Sequence, residues 1–198
     1  MNAGLHKQME KDPDVKLMMQ FAAGDEDAFR NLFSAYNRKV INFCFRFCGD
    51  RTQAEDLAQE VFLRMFKARK RYRPKARFST WLFKIAANVC INAARNRKRR
   101  PETVSLDSPP PGGDCQSGRN IADTENSAVE KLAAKERQNK LKDAIRRLPE
   151  RERAALLLRI DREFSYEEIA DQLKCPVNTV RTLIRRGRIR LSEIMEYE

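Results

Sequence analysis

Apolar side chains recur at three- and four-residue spacing along most of this 198-residue chain, and no stretch alternates in the manner of a strand. That period predicts an all-α protein. A short helix is expected from about Asp14 to Gly24. A longer one covers 25–48, with Phe29, Leu32, Phe33, Tyr36, Val40, Phe43, Cys44 and Phe47 on one stripe and Gly49 at its C-cap. Thr52 and Glu55 then form a T-x-x-E capping box. The helix it opens runs to about Lys70, with Leu57, Ala58, Val61, Phe62, Met65 and Phe66 inward. Arg73-Pro74 stops the chain from continuing as helix, because proline lacks an N–H and restricts the residue before it. A fourth helix starts near Ser79 and reaches about Arg97, turning Trp81, Leu82, Ile85, Ala86 and Val89 inward.

The period then breaks. Residues 101–122 include PETVSLDSPPPGGDCQSGRN, rich in Pro, Gly and Ser, and read as a flexible linker. It divides the chain into two small helical domains, 1–100 and 123–198. In the second, one helix covers about 125–147, and Pro149 suits the first position of the next, which ends near Ile160. Ser165 and Glu168 make another capping box, opening a short helix through Leu173. Cys175-Pro176 turns the chain. A last helix, about 177–195, carries Val180, Leu183, Ile184, Leu191 and Ile194 on its apolar side.

Charge sharpens this picture. The net charge is +12, and positions 61–100 hold 14 Lys and Arg with no acid. A field of one sign over forty residues attracts a polyanion more readily than an ordinary solvated face does. Five cysteines, at 44, 48, 90, 115 and 175, fit no disulfide framework. Cys44 and Cys48 share a helix face, but the single histidine, His6, leaves few soft ligands, so buried reduced thiols are the better reading and no metal or cofactor is expected. No signal peptide and no membrane-spanning run is visible, which suggests the cytoplasm and no membrane insertion.

Residues 165–190 follow a helix-turn-helix pattern, with the small Ala170 where two helices would cross closely. The outward face of the second helix carries Asn178, Thr179, Arg181, Thr182, Arg185, Arg186 and Arg188, and no acid lies between Asp171 and Glu193. Arginine can bridge two guanine acceptors, asparagine can pair with adenine, and threonine can touch a thymine methyl, so the set suits a major groove. Arg188 and Arg190 are better placed for phosphates. A solvated helix in a bundle is the plainer alternative, which the density of arginine weighs against.

Two further features lie in the first domain. In DLAQEVFLRMF, positions 56–66, Asp56, Gln59 and Glu60 stand polar beside the apolar stripe. A plain surface helix accounts for this, and so does docking on a basic groove of a partner. In 71–100, a basic loop from Arg73 to Phe78, including Lys75 and Arg77, precedes a helix offering Lys84, Asn88, Asn92, Arg95 and Asn96. Cations for phosphates, amides for base edges and rings for stacking are what a single strand requires. A flipped base could be held where loop meets helix. Trp81 reads better as core, while Phe78 could serve either purpose.

The run DLAQEVFLRMFKARKRYRPKARFSTWLFKIAANVCINAARNRKRR resembles the second domain of the extracytoplasmic-function group of the sigma-70 family. SYEEIADQLKCPVNTVRTLIRRGRIRL resembles that group's fourth domain, and the likeness extends over about 15–195. The resemblance implies a sigma factor that guides core RNA polymerase to promoters and has no catalysis of its own. It implies that Asp56, Leu57, Gln59, Glu60, Phe62 and Leu63 dock on the clamp helices of the polymerase's largest subunit. It implies that Arg73–Phe78, with Asn88 and Asn92, captures a flipped base of the minus-ten element; Lys84 and Arg95 extend that surface along the same helix. Arg181, Thr182, Arg185 and Arg186 match positions that read the minus-thirty-five element. The linker would thread toward the active-site and RNA-exit channels. The melting region has few aromatics, as in this group generally, which implies dependence on near-consensus promoters. Members of the group are often held by an anti-sigma protein between the domains, although nothing in this chain identifies one.

Two other readings compete. A nuclease would need converging carboxylates, but Asp25, Glu26 and Asp27 fan around a helix start, where acids favour the dipole. A helix-turn-helix regulator that never joins polymerase would explain 165–190 but not the acid-apolar segment 56–63 beside a basic, aromatic loop.

Overall fold

The computed structural model describes residues 12–99, 128–162 and 164–196. Eight α-helices run through them: α1 Pro13–Ala23, α2 Glu26–Cys48, α3 Arg51–Ala68, α4 Phe78–Arg99, α5 Ala128–Arg147, α6 Glu150–Arg162, α7 Tyr166–Leu173 and α8 Val177–Glu196. A 3-10 turn, Arg69–Arg71, follows α3, and no strand occurs among the described residues. The expected linker 101–122, with Cys115, and His6 lie outside them.

Local chemistry explains the boundaries. Asp12 and Asp25 cap α1 and α2 by accepting from backbone N–H groups of the first turn, and Gly24 and Gly49 close both helices in the left-handed region, at φ 113° and 78°. The T-x-x-E box expected at Thr52 is replaced by Asp50, whose carboxylate accepts from the Gln53 N–H at 2.6 Å. An acid two residues earlier reaches the same free donors, so the helix starts at Arg51. The Ser165–Glu168 box forms as expected: Ser165 Oγ accepts from Glu168 N at 3.1 Å, and Glu168 Oε2 from Ser165 N at 2.9 Å. Pro149 stands one residue before α6, its carbonyl accepting from Arg153 N.

The N-terminal half packs α1, α3 and α4 around α2. Its core holds Met18, Leu32, Val40, Phe43, Phe47, Val61, Met65, Phe78, Leu82 and Phe83, all essentially buried. Two stripe residues depart from expectation. Phe33 and Phe66 are 39% and 42% exposed, because each sits at the edge of its helix's apolar stripe. In the C-terminal half α8 lies across α6, and Gly187 makes this close: a Cβ there would stand 2.4 Å from Leu156 Cδ1. Cys44 and Cys90 face each other across α2 and α4 at 3.7 Å. The hydrogen bond to Cys44, with burial, holds the Cys90 thiol well above its ordinary range. No three His, Cys, Asp or Glu side chains converge as a metal needs, and no helix is long and apolar enough to cross a membrane, among the described residues.

The two halves are docked against each other. Phe83 of α4 lies 6.3 Å from the ring of Phe164, and both are buried in a core continuous with Ala154, Leu157 and Leu158 of α6. Arg153 of α6 reaches into the first half and donates to the carbonyl of Phe47 at 2.7 Å, one of the carbonyls left open at the end of α2. Its guanidinium stands 4.9 Å from the Phe47 ring and also donates to the carbonyl of Leu148 at 2.8 Å.

Candidate nucleic-acid and polymerase interfaces

Three exposed stripes carry the residues singled out in the sequence. The first is on α3. Asp56, Gln59 and Leu63 recur at helical spacing on its open side, and Leu63 is 53% exposed. Glu60 is half-buried and pairs with Arg64 at 2.6 Å. Leu57 and Phe62, which the apolar stripe places inward and the resemblance assigns to the docking surface, are buried, 9% and 5% exposed. They fall on the inner side of the helix, where Phe62 packs at 4.7 Å against Phe33. The apolar surface of this stripe is supplied by Leu63 and Phe66, with Arg69 lying 4.0 Å from the Phe66 ring. Phe66 was legible in principle, since it follows Leu63 by three positions and shares its face.

The second stripe belongs to the loop before α4 and to α4 itself. Arg73, Lys75 and Arg77 are exposed around Pro74 and Ala76. Phe78 is not available to a base: it is fully buried, edge-on to Tyr36 at 5.1 Å and 6.0 Å from Trp81. Burial of a large ring at the start of α4 anchors the basic loop, so this residue acts as a post and not as a platform. Trp81 is half-buried and sits 4.9 Å from Tyr72. Along α4, Lys84, Asn88, Asn92 and Arg95 form one face, exposed toward its C-terminal end. The Asn88 amide is turned back to donate to the Lys84 carbonyl at 2.8 Å.

The third stripe is the outward side of α8. Lys174, at φ 49°, closes α7 in the left-handed region, and the Pro176 carbonyl accepts from Thr179 and Val180 to start α8. Val180, Ile184 and Gly187 face the core, which forces Asn178, Arg181, Thr182, Arg185 and Arg186 outward. Thr182 donates back to the Asn178 carbonyl at 2.9 Å. Thr179 and Arg188 flank this face. Arg190 differs from the phosphate contact expected of it, for it pairs with the buried Glu152 carboxylate at 3.5 Å. Ile189 was missed by sequence reasoning; it is 47% exposed among Arg181, Thr182, Arg185 and Arg186. Tyr166, at the start of α7, underlies both Arg159 at 4.9 Å and Arg181 at 5.8 Å.

Comparison with known proteins shows the family. Residues 32–100 match the family model of sigma-70 region 2, and residues 138–191 match that of sigma-70 region 4. The ECF RNA polymerase sigma factor SigW of Bacillus subtilis is 36% identical over 177 residues, covering 87% of this chain and 91% of that protein. The RNA polymerase sigma-H factor of Pseudomonas aeruginosa is 32% identical over 190 residues, covering 95% and 96%. The ECF RNA polymerase sigma-E factor of Escherichia coli K12 is 34% identical over 181 residues, covering 90% and 92%. Among solved structures, CnrH in complex with the cytosolic domain of CnrY aligns with a TM-score of 0.64 at 22% identity, over 92% of this chain and 96% of that one. The sigma factor RpoE in complex with the anti-sigma factor NepR from Bartonella quintana aligns with a TM-score of 0.61 at 20% identity, over 85% and 96%. These two share the fold.

Proposed function

The chain belongs to the extracytoplasmic-function group of the sigma-70 family and is an RNA polymerase sigma factor acting in transcription initiation, and on that premise we propose how its three exposed stripes divide the work. The α3 stripe binds core polymerase at the clamp helices of its largest subunit, through Asp56, Gln59, Glu60 and Leu63, with Phe66 beside them. Leu57 and Phe62 hold that surface in shape from beneath. The loop Arg73–Arg77 and the α4 face of Lys84, Asn88, Asn92 and Arg95 take the minus-ten element as a single strand. The α8 face of Asn178, Thr179, Arg181, Thr182, Arg185, Arg186 and Arg188 reads the minus-thirty-five element in the major groove. The protein supplies address and melting, and the bond-making is the polymerase's. An anti-sigma factor, such as the partner named with one of the fold relatives, is a further ligand of the same chain.

The observation that carries this reading is the contrast between stripes. One helix of the first half exposes acid, amide and leucine, whereas two others, one in each half, expose cations and amides. A DNA-only protein has no use for the first; a polymerase adaptor needs it, because core and promoter must be held at once. The direct test is association with core polymerase. Asp56→Ala with Glu60→Ala is expected to weaken it on the order of tenfold, about 1.4 kcal/mol. The pair Glu60–Arg64 is a surface ion pair that adds little to folding, so the variant stays folded. DNA binding by the full chain is expected to be unchanged. Equal affinity of variant and wild type for core polymerase would remove α3 as the docking helix.

A further inference from the structure

Three of the five cysteines gather between α2 and α4, and neither the polymerase surface nor the DNA surfaces use them. Cys44 and Cys48 share one face of α2, one turn apart, and Cys90 comes from the inner side of α4. Cys44 and Cys90 are 0% and 1% exposed, and the Cys90 thiol donates to the Cys44 sulfur at 3.7 Å. Cys48 is half-buried, and its thiol donates to the Asp50 carbonyl at 3.2 Å. With Cys90 it lines a cavity of about 550 Å³. The same wall is mostly cationic: Arg97, Lys98, Arg146, Arg147 and Arg153 stand there against Asp143 and Glu150. Two small apolar residues would fill the space of Cys44 and Cys90 equally well. What two facing thiols add is a bond they can form.

We propose that Cys44, Cys48 and Cys90 form a thiol–disulfide exchange site for an anionic low-molecular-weight disulfide of the glutathione class, with a Cys44–Cys90 disulfide as its product. Cys48 is the entry. Its thiolate attacks one sulfur of the incoming disulfide RSSR, forming Cys48–S–S–R and releasing RS⁻. Cys90 then attacks the Cys48 sulfur and expels the second RS⁻. Cys44 attacks the Cys90 sulfur in turn, which closes the Cys44–Cys90 bond and returns Cys48 to its thiol. In sum, two protein thiols give up two electrons and two protons, and RSSR becomes two RSH.

Proximity favours the product. A disulfide bond is about 2.05 Å long, so the two sulfurs approach by about 1.7 Å, which small side-chain rotations supply. Folding has already brought together residues 46 positions apart, so closure costs little further chain entropy. Burial governs access. It raises the Cys48 thiol above its ordinary value, while the hydrogen bond to Cys44, with burial, holds Cys90 well above its own. Both therefore rest protonated, and exchange is slow and begins at Cys48, the more exposed of the three. The cations gather an anionic disulfide beside it, and the Arg153 charge favours the thiolate of Cys90 when that sulfur attacks. The product ties α4 to α2 and restricts the unfolded chain.

The test treats the reduced full chain with oxidised glutathione, alkylates the remaining thiols under denaturing conditions and maps the peptides by mass spectrometry. Wild type is expected to lose two of its five thiols and to yield a linked Cys44–Cys90 peptide. Its thermal midpoint is expected to rise by several degrees until a reductant is added. Cys48→Ser is expected to slow formation of the link on the order of tenfold or more. This variant changes a half-buried position, so the test does not depend on emptying the core. Cys90→Ala is expected to stop with glutathione attached to Cys48. High salt is expected to slow the wild-type reaction several-fold by screening the cations, and a rate indifferent to salt would overturn the anionic class of reactant. Five thiols still open to alkylation after prolonged treatment would overturn the site. So would a link made through Cys115 or Cys175, or a Cys48→Ser rate equal to that of wild type.

Discussion

Tyr72 packs edge-on against Trp81 at 4.9 Å, and its hydroxyl is buried without a hydrogen-bond partner among the described residues. Burial, with the nearby Asp12 carboxylate, pushes the phenol up to about 12. The folded value lies above the unfolded value of about 10, so the tyrosine's contribution to stability is fully present below pH about 10 and is lost as pH rises through about 12. Tyr72→Phe removes an unpartnered polar atom and keeps the ring. Thermal unfolding at neutral pH is expected to show equal stability or a gain of about 1 kcal/mol. The alkaline absorbance titration of the four tyrosines is expected to lose its latest step. A loss of stability would mean that the hydroxyl does have a partner. Arg153 shows the opposite case at the same scale: burial lowers its guanidinium from the ordinary arginine value, yet carbonyls of both halves receive its hydrogens.

At the scale of the helix, the cap decides where each element begins. Asp50 and Thr52 compete in the sequence for the start of α3, and the carboxylate wins by accepting from Gln53 N at 2.6 Å. Asp50→Ala is expected to cost about 1 kcal/mol of unfolding free energy, while Thr52→Ala, at an exposed position, costs a few tenths at most. The reverse order in denaturant melts would restore the T-x-x-E box. The helices themselves were legible because a 3.6-residue apolar period reports which side of each must be buried. The outward face of α8 was legible for the same reason: once Val180 and Ile184 point inward, Arg181, Thr182 and Arg185 have nowhere else to go. Where a stripe ends was harder to place. Leu57 and Phe62 are buried, as their spacing on the inner stripe implies, whereas Phe33 and Phe66, read on the same stripes, stay partly exposed because the packing of α3 on α2 sets the edge. Phe78 was undecided for a related reason, since a ring beside a basic loop can serve DNA or core until Tyr36 is seen to cover it. Gly187 passed unnoticed because nothing in its neighbours announces that Leu156 of α6 will approach so closely.

At the scale of the molecule, a chain of net charge +12 presents cations on one face in each half and folds acids of α7 onto the first of them. The docking of the halves was invisible in the sequence, because it joins residues about 90 positions apart and depends on both capping and packing of a short helix. A basic surface explains attraction to DNA in general, and under the proposed division of labour the separate α3 stripe is what would put that attraction to use by a polymerase. The most direct measurement is therefore transcription by purified core polymerase on bacterial genomic DNA, with the 5′ ends of the products sequenced. With the wild-type chain added, discrete start sites are expected, each preceded by a shared pair of elements near minus ten and minus thirty-five. Arg181→Ala with Arg185→Ala is expected to relax the upstream element alone, and Asp56→Ala with Glu60→Ala to reduce all starts together. Core polymerase that begins no message at defined sites when supplied with the folded chain would contradict the division of labour assigned to the three stripes.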